Sequence, residues 1–462
     1  MIIVSLIGLM YVAYKGYNVI LFAPVFALLA AAAGGWSIMP AYTELFMVNL
    51  VGYVKSYFPL FMLGAVFGKV MDETGAAKAI AHWIVKTLGP SRAIISVVLS
   101  CAILTYGGVS LFVVAFAVYP LAAAIFREGN IPKRLVPGTI ALGAFTFTMT
   151  ALPGTPQIQN AIPMKYFGTT TFAAPWTGII AALFMFFVGI AWLEYRRRKA
   201  MAAGEGYGNH TKNEPEKKTN EGPLPNVALS ILPLLIVLVL NYILSQKIIP
   251  TWSNDMLADV AKLKLAMGAT TISAVGGNWA LIIALVVGIL AAIGFNFGTL
   301  KGKTAKALNE GTIGSLLAVM NTASEVGYGN VIKSLAGFTV ISTALSGLKA
   351  NPLLAESVSV NLLAGVTGSA SGGMSIALEA MGKQFLEWAN AANINPEMLH
   401  RIASISSGGF DTMPHNGAVI TLLAITGMTH KESYIDIAMV SLVIPVISGL
   451  LGILWYTVTG LA

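Results

Sequence analysis

From Val227 to Leu244 the chain carries no charged residue. An uncharged apolar stretch approaching the roughly 20 residues that a bilayer core demands constrains a fold more tightly than any other sequence feature. Similar stretches run from Thr177 to Trp192, from Trp279 to Phe297 and, with one acid, from Ile435 to Tyr456. The composition agrees: 56% of the 462 residues are hydrophobic and 10% are charged, with a mean hydropathy of +0.76, which leaves too little polar surface for a soluble protein. The class is therefore all-α polytopic membrane protein, because a helix satisfies its own backbone groups in hydrocarbon. The first apolar segment has no basic residue ahead of it and no clear small-residue cleavage site, so it is read as a retained span rather than a signal peptide. The lone Cys101 excludes an intramolecular disulfide and a Cys-rich metal site; no metal and no cofactor is expected.

Two motifs interrupt this pattern. Thr105-Tyr-Gly-Gly-Val-Ser110 and Gly368-Ser-Ala-Ser-Gly-Gly-Met-Ser375 place flexible, polar backbone inside segments that otherwise read as buried helix. Such backbone survives at membrane depth only where it is buried in protein or lines an aqueous cavity. Each motif is followed by a second interruption, at Pro153 to Asn160 and at Asp411 to Asn416. Packing glycines and proline kinks are the plainer explanation. The dense Ser, Thr, Gln and Asn around them argues instead for hairpin tips and unwound helix.

The formal charge of +8 is informative through its placement. Arg196-Arg-Arg-Lys199 with Lys212, Lys217 and Lys218 forms a basic, polar stretch, read as a flexible cytoplasmic linker rather than a nucleic-acid site. Walking outward from it puts the loop from Lys247 to Ser273 outside and the Lys301, Lys303 and Lys306 cluster inside. Going backward, Arg127, Lys133 and Arg134 also fall inside. Arg92 and Arg127 then flank Gly107 and Gly108 on the same side, which makes that segment a re-entrant hairpin.

The order of parts recurs after the linker with every part reversed. The expected architecture is two inverted-topology repeats with about ten spans and two hairpins. Residues 1–195 form the first repeat, with its hairpin at about 92–127 and a broken helix at about 136–166. Residues 196–222 are the linker. Residues 223–462 form the second repeat, with an amphipathic stretch up to Lys349, a hairpin at about 352–386 and a broken helix at about 399–427. Half-helix N-termini meeting near the midplane can hold an anionic solute without a buried Lys or Arg, so no permanent positive charge is expected in the site.

Thr105-Tyr-Gly-Gly-Val-Ser110, Ala151-Leu-Pro-Gly-Thr-Pro-Gln-Ile-Gln-Asn160 and Phe410-Asp-Thr-Met-Pro-His-Asn-Gly-Ala-Val-Ile420 together resemble the gluconate permease (GntP) family of the ion transporter superfamily, over nearly the whole chain. The resemblance implies proton-coupled uptake of small organic acids such as gluconate across the bacterial inner membrane. It also implies a homodimer whose scaffold domains pair while transport domains, built from hairpins and broken helices, move like elevators. The Pro414-His-Asn-Gly417 stretch is closer to members associated with short hydroxy acids such as 3-hydroxybutyrate.

The candidate substrate-binding residues are those of the four interruptions: Thr105, Gly107, Gly108, Ser110, Thr155, Gln157, Asn160, Ser369, Ser371, Gly372, Thr412, His415 and Asn416. Ser110, Thr155, Ser371 and Asn416 with nearby backbone N–H groups are the expected holders of a carboxylate and a hydroxyl. Ionisable groups at depth are costly, so Asp411, His415 and Glu325 are the candidates for a coupling proton. Asp411 and His415, four positions apart, read as a pair, while Glu325 reads as the end of an apolar span. Glu379 is expected near the outer surface; Lys69, Asp72 and Glu73 at an interface; and Lys165 snorkelling.

Three other classes are weighed against a secondary transporter. An intramembrane enzyme lacks any nucleophile-elbow, zinc or phosphate-loop motif here, and a primary pump lacks an ATP-binding motif. A channel could line a pore with duplicated hairpins. Oxygen ligands at the first interruption keep sodium as the alternative coupling ion.

Overall fold

The computed structural model describes residues 2–15, 17–215, 224–253, 271–338 and 351–462. Lys217, Lys218, residues 339–349 of the expected amphipathic stretch and most of the loop from Lys247 to Ser273 lie outside the described residues. Every regular element among the described residues is helical.

Six helices are by themselves long and apolar enough to cross a bilayer: Ile38–Glu73, Leu111–Glu128, Pro175–Ala202, Val227–Thr251, Val275–Phe295 and His430–Thr459. Reaching about ten spans also requires the shorter Ile2–Tyr14 and Val19–Ala33, the more polar Thr304–Ser334 and the two interrupted helices. Large side chains on the outer helices face outward, including Phe187 and Leu290 at 63% exposure and Val458 at 75%. A surface of that kind suits hydrocarbon and not water.

The helices fall into two groups. In the first, Ile38–Glu73 lies along Thr304–Ser334, with Val19–Ala33 against the latter and Val275–Phe295 against the former. In the second, the helix pair Ala93–Tyr106 and Leu111–Glu128 packs on Val136–Ala144, and Leu111–Glu128 also on Gly417–Thr426. The pair Pro352–Thr367 and Ala370–Ala391 packs on Pro396–Ser407, Ala370–Ala391 also on Ile158–Phe167, and Pro175–Ala202 on the last helix. A further short helix, Ala76–Leu88, meets the first helix pair at a bend of 104°.

Local chemistry explains where these elements begin and end. Asn226, Asn395 and Asn416 accept hydrogen bonds from backbone N–H groups of the helices that follow them, and Pro396 occupies a first-turn position that needs no N–H. Thr429 and Glu432 form a reciprocal capping box at the start of the last helix. Ala93–Tyr106 is about 21 Å long at 1.5 Å per residue, short of a 30 Å bilayer core. The chain turns back at Gly107 and Gly108, where Gly108 takes φ +102°, a conformation that L side chains rarely adopt.

One expected boundary shifts. The linker read from residue 196 begins later, because the helix runs on to Ala202; Arg197 pairs with Glu194 one turn back at 2.7 Å, and basic residues suit a helix C-terminus. Its next stretch is docked. Glu205 binds Arg134 at 2.6 Å, Glu214 binds Lys133 at 2.6 Å and also Arg127, and Tyr119 donates to the Asn213 carbonyl at 2.7 Å. Asp436, fully buried, collects Arg134, Arg196 and the Trp192 indole at the same end of the molecule.

Candidate functional site

Each hairpin tip is clasped by an amide side chain from an interrupted helix. At the first tip Gln157 Nε2 donates to the carbonyls of Thr105 at 2.8 Å and Val109 at 3.3 Å. Pro156 fills the space beside Gly108, where an added Cβ would lie 2.9 Å from its ring, and the Tyr106 hydroxyl donates to the Pro153 carbonyl at 2.8 Å. At the second tip Asn416 Nδ2 donates to the Gly368 carbonyl at 2.8 Å while its Oδ1 caps Val419 N–H at 2.8 Å. The His415 ring lies against Gly368, which takes φ +63°. Carbonyls freed by a helix break must find donors, and here the partner break supplies them.

The breaks also meet each other. Asn160 donates to the carbonyls of Thr155 and Thr171, and its Oδ1 accepts from Arg401 Nη1 at 2.9 Å and His400 Nε2 at 3.1 Å. Arg401 and His400 belong to Pro396–Ser407, the helix that leads into the second break. Arg401 is fully buried and donates otherwise only to backbone carbonyls, of Thr171 and Ala173. No carboxylate pairs with it among the described residues. The expectation of a site free of permanent positive charge is thus corrected: a guanidinium sits directly on Asn160. Sequence reasoning does not single out Arg401, yet its place at the start of an interrupted segment is the signal that an ionisable residue at depth offers.

The remaining candidates separate into those brought to the tips and those turned away. Ser369 accepts from Gly372 N–H at 3.0 Å and caps the second leg, and Ser371 exchanges a hydrogen bond with Thr322 at 3.2 Å. Thr105 and Thr155 are buried with hydroxyls that have no partner. Ser110 sits where the first hairpin meets Gly68 of the Ile38–Glu73 helix. Thr412 faces the last helix instead, donating to the Ser441 carbonyl at 2.9 Å and lending its own carbonyl to Tyr434 at 3.1 Å.

Asp411 and His415 make no hydrogen bond to each other; Asp411 Oδ1 and His415 Nε2 are both buried without partners. The i, i+4 spacing pairs side chains only on continuous helix, and the chain from Phe410 to Asn416 is a tight turn followed by extended backbone at Met413. Glu325 does not end its helix, which continues to Ser334; it is 3% exposed and packs against Gly372 at the second tip. Glu379 accepts from Tyr166 at 2.6 Å, with Lys165 at 3.9 Å. Lys69 reaches across to Glu310 at 3.0 Å and to Glu73 at 3.2 Å, joining the two longest helices at one end. Beyond Arg401, the unforeseen buried polar groups are Tyr53 and Ser375 near Glu325, and Glu356, whose carboxyl oxygens both lack partners.

Comparison with known proteins places this arrangement. The chain is 48% identical over 452 residues to the uncharacterized transporter YxjC of Bacillus subtilis, covering 96% of this chain and 95% of that one. A Haemophilus influenzae uncharacterized transporter is 30% identical over 128 residues, 27% of this chain and 28% of that protein. Among solved structures, the Alcanivorax borkumensis YdaH transporter, described as having an unusual topology, matches with a TM-score of 0.57 at 15% identity over 90% of this chain and 88% of its own. Neisseria gonorrhoeae MtrF, from a class of antimetabolite efflux pumps, matches at 0.51 and 13% identity over 96% and 95%. At these identities the two structures share the fold alone. The chain is a multi-pass membrane transporter and not an enzyme. The GntP family permease model matches residues 5–458, and the chain belongs to that family.

Proposed function

We propose that the protein is a secondary active symporter that carries a small hydroxy monocarboxylate, such as 3-hydroxybutyrate or gluconate, together with protons across the bacterial inner membrane. The observation that carries this reading is the paired clasp: Gln157 on the first hairpin tip and Asn416 on the second. Two polar breaks per half, each satisfied by protein rather than lipid, are the form a midplane solute site takes in secondary transporters. Ser110, Thr155, Ser371 and Asn416 hold the carboxylate and hydroxyl of the solute. Arg401 supports the choice of an anion, since its charge meets no carboxylate among the described residues.

The recurring order of long helix, hairpin, interrupted helix and long helix supports two inverted repeats, at 1–195 and 223–462, joined by a linker at 196–222. On this reading the hairpins and interrupted helices move together as an elevator against Ile38–Glu73 and Thr304–Ser334, which belong to a scaffold that dimerises. Asp411, His415 and Glu325 are the groups that exchange the coupling proton.

Uptake into proteoliposomes tests the reading. Labelled 3-hydroxybutyrate or gluconate should accumulate when the lumen is alkaline, and a protonophore should abolish the accumulation. Uptake indifferent to the pH gradient sinks proton coupling, and ohmic single-channel currents sink the carrier. A sodium requirement would favour the second reading, sodium-coupled carboxylate symport, for which the unpartnered hydroxyls of Thr105 and Thr155 are the supporting observation.

A further inference from the structure

Glu325 lies well inside the Thr304–Ser334 helix and points its carboxyl at the first turn of the second hairpin leg, Ala370–Ala391. A Cβ added to Gly372 would collide with Glu325 Oε2, and Ser369, the cap of that leg, is its neighbour. Oε2 is buried and has no hydrogen-bond partner. No Lys, Arg or His pairs with Glu325 among the described residues.

Two further hydroxyls line the same place. Tyr53, from the Ile38–Glu73 helix, is 3% exposed and faces Thr322 and Ser375; its oxygen and that of Ser375 both lack partners. The other titratable groups on the surrounding elements are engaged or distant. Tyr328 bonds Ser5, Glu379 is held by Tyr166, and Lys333 donates to the Glu379 carbonyl. Lys69, Asp72 and Glu73 gather around Glu310 at another level of the two helices, and Glu44 and Lys55 are exposed. Glu356 sits about three turns before the tip on the first hairpin leg, and Val19–Ala33 contains no titratable residue.

A helix N-terminus favours an anion through its free N–H groups and partial positive charge. At the second tip that position already faces a carboxyl of the protein. A substrate carboxylate arriving there would put two like charges in one low-dielectric site, where both do not stay ionised. We propose that Glu325 is the group that couples substrate charge to a proton: the anion settles on the second hairpin tip as the Glu325 carboxylate takes one proton from solvent and becomes a carboxylic acid. The new O–H can turn to the Ser369 hydroxyl beside it, while the nearby Tyr53 hydroxyl feels the change of charge. Because Glu325 belongs to one helix group and the tip to the other, the same proton decides whether the tip can leave that helix. This inference rests on the reading of the protein as a carboxylate transporter.

The test uses purified full-length protein in weakly buffered detergent solution with a pH-indicating dye. A thermal-shift screen with 3-hydroxybutyrate and gluconate first establishes binding. The expected result, in solution alkaline enough to ionise the free Glu325 carboxyl, is uptake of one proton per carboxylate bound, and in Glu325→Gln a persisting thermal shift with the proton uptake gone. Tyr53→Phe provides an independent arm, expected to move the pH at which half of the proton uptake occurs. Binding without proton uptake, undiminished uptake in Glu325→Gln, or an unmoved profile in Tyr53→Phe each overturns the inference and leaves the carboxylate reading standing. Absence of any thermal shift with either carboxylate defeats the carboxylate reading, and the inference with it.

Discussion

Arg401 Nη1 donates to Asn160 Oδ1 at 2.9 Å, a bond between residues 241 positions apart that ties the first interrupted helix to the helix leading into the second. The guanidinium is fully buried, and its planar fork reaches Asn160 and two backbone carbonyls at once. Its partners lose their donors when it is removed. Arg401→Gln should therefore cost on the order of 3 kcal/mol, because buried acceptors on Asn160 and Ala173 lose donors at about 1–3 kcal/mol each. Arg401→Lys keeps the charge but not the fork and should cost less, about 1–3 kcal/mol. Thermal midpoints of the purified variants check the order; equal midpoints for the two would show that the retained charge adds nothing and that the fork geometry alone matters.

Gly108 and Gly64 should respond to alanine with opposite signs. Gly108 combines φ +102° with a contact that would bring Cβ to 2.9 Å from Pro156, and a side chain there should cost about 1–3 kcal/mol. Gly64 lies within the Ile38–Glu73 helix with nothing within 4 Å of its Cβ position. Alanine there should stabilise by about 0.5–1 kcal/mol through the lost freedom of the unfolded chain. Melting each variant in the same detergent decides the matter, and a fall in midpoint for Gly64→Ala would count against the packing described for that helix.

The two clasps differ in what they hold. Gln157 serves two tip carbonyls, whereas Asn416 serves the Gly368 carbonyl and also caps the helix that begins at Gly417. Loss of a donor to a buried carbonyl costs about 1–3 kcal/mol, and loss of an N-cap adds about 1 kcal/mol; without Gln157 the Thr105 carbonyl still accepts from Gly108 N–H at 3.0 Å, and the bond to Val109 is long at 3.3 Å. Asn416→Ala should thus lower the thermal midpoint more than Gln157→Ala, and both should weaken carboxylate uptake at low substrate concentration. Equal midpoints would mean that the Val419 N–H finds another partner.

The positions of the turns are legible in the sequence because their causes are local. Gly107 with Gly108, Gly368, and Pro153 to Pro156 each stop a helix by their own backbone chemistry, and the structure turns or unwinds at those residues. The partners of the buried charges are not local. Arg401 finds its acceptors at 160, 171 and 173, 228 to 241 positions away in the first half of the chain, so nothing in the sequence around it names its partners. Glu325 misleads for a related reason. The polar run Ser324 to Asn330 lowers the local hydropathy and looks like the end of a span, but neighbouring helices bury every one of these residues and the helix continues to Ser334. Arg196 to Lys199 read as a flexible linker because charge is taken as a sign of solvent, although arginine and lysine are good helix formers.

Glu214 makes the docked stretch of the linker sensitive to acid. Burial opposes ionisation of its carboxyl, but Lys133, Arg127 and the Tyr207 hydroxyl more than offset that and hold it below the ordinary value of 4.5. A depressed carboxyl contributes stability that is present above its unfolded value and is lost as the pH falls through the folded one. Wild type should therefore melt above Glu214→Gln at neutral pH, and the difference should close as the pH drops below 4.5. Glu205, held down mainly by Arg134, should behave alike in Glu205→Gln. Melting curves across an acid series measure both gaps. A gap for Glu214→Gln that stays constant into acid would show that its contacts act by packing and hydrogen bonding alone, with Lys133, whose side chain is fully buried, needing no opposite charge beside it.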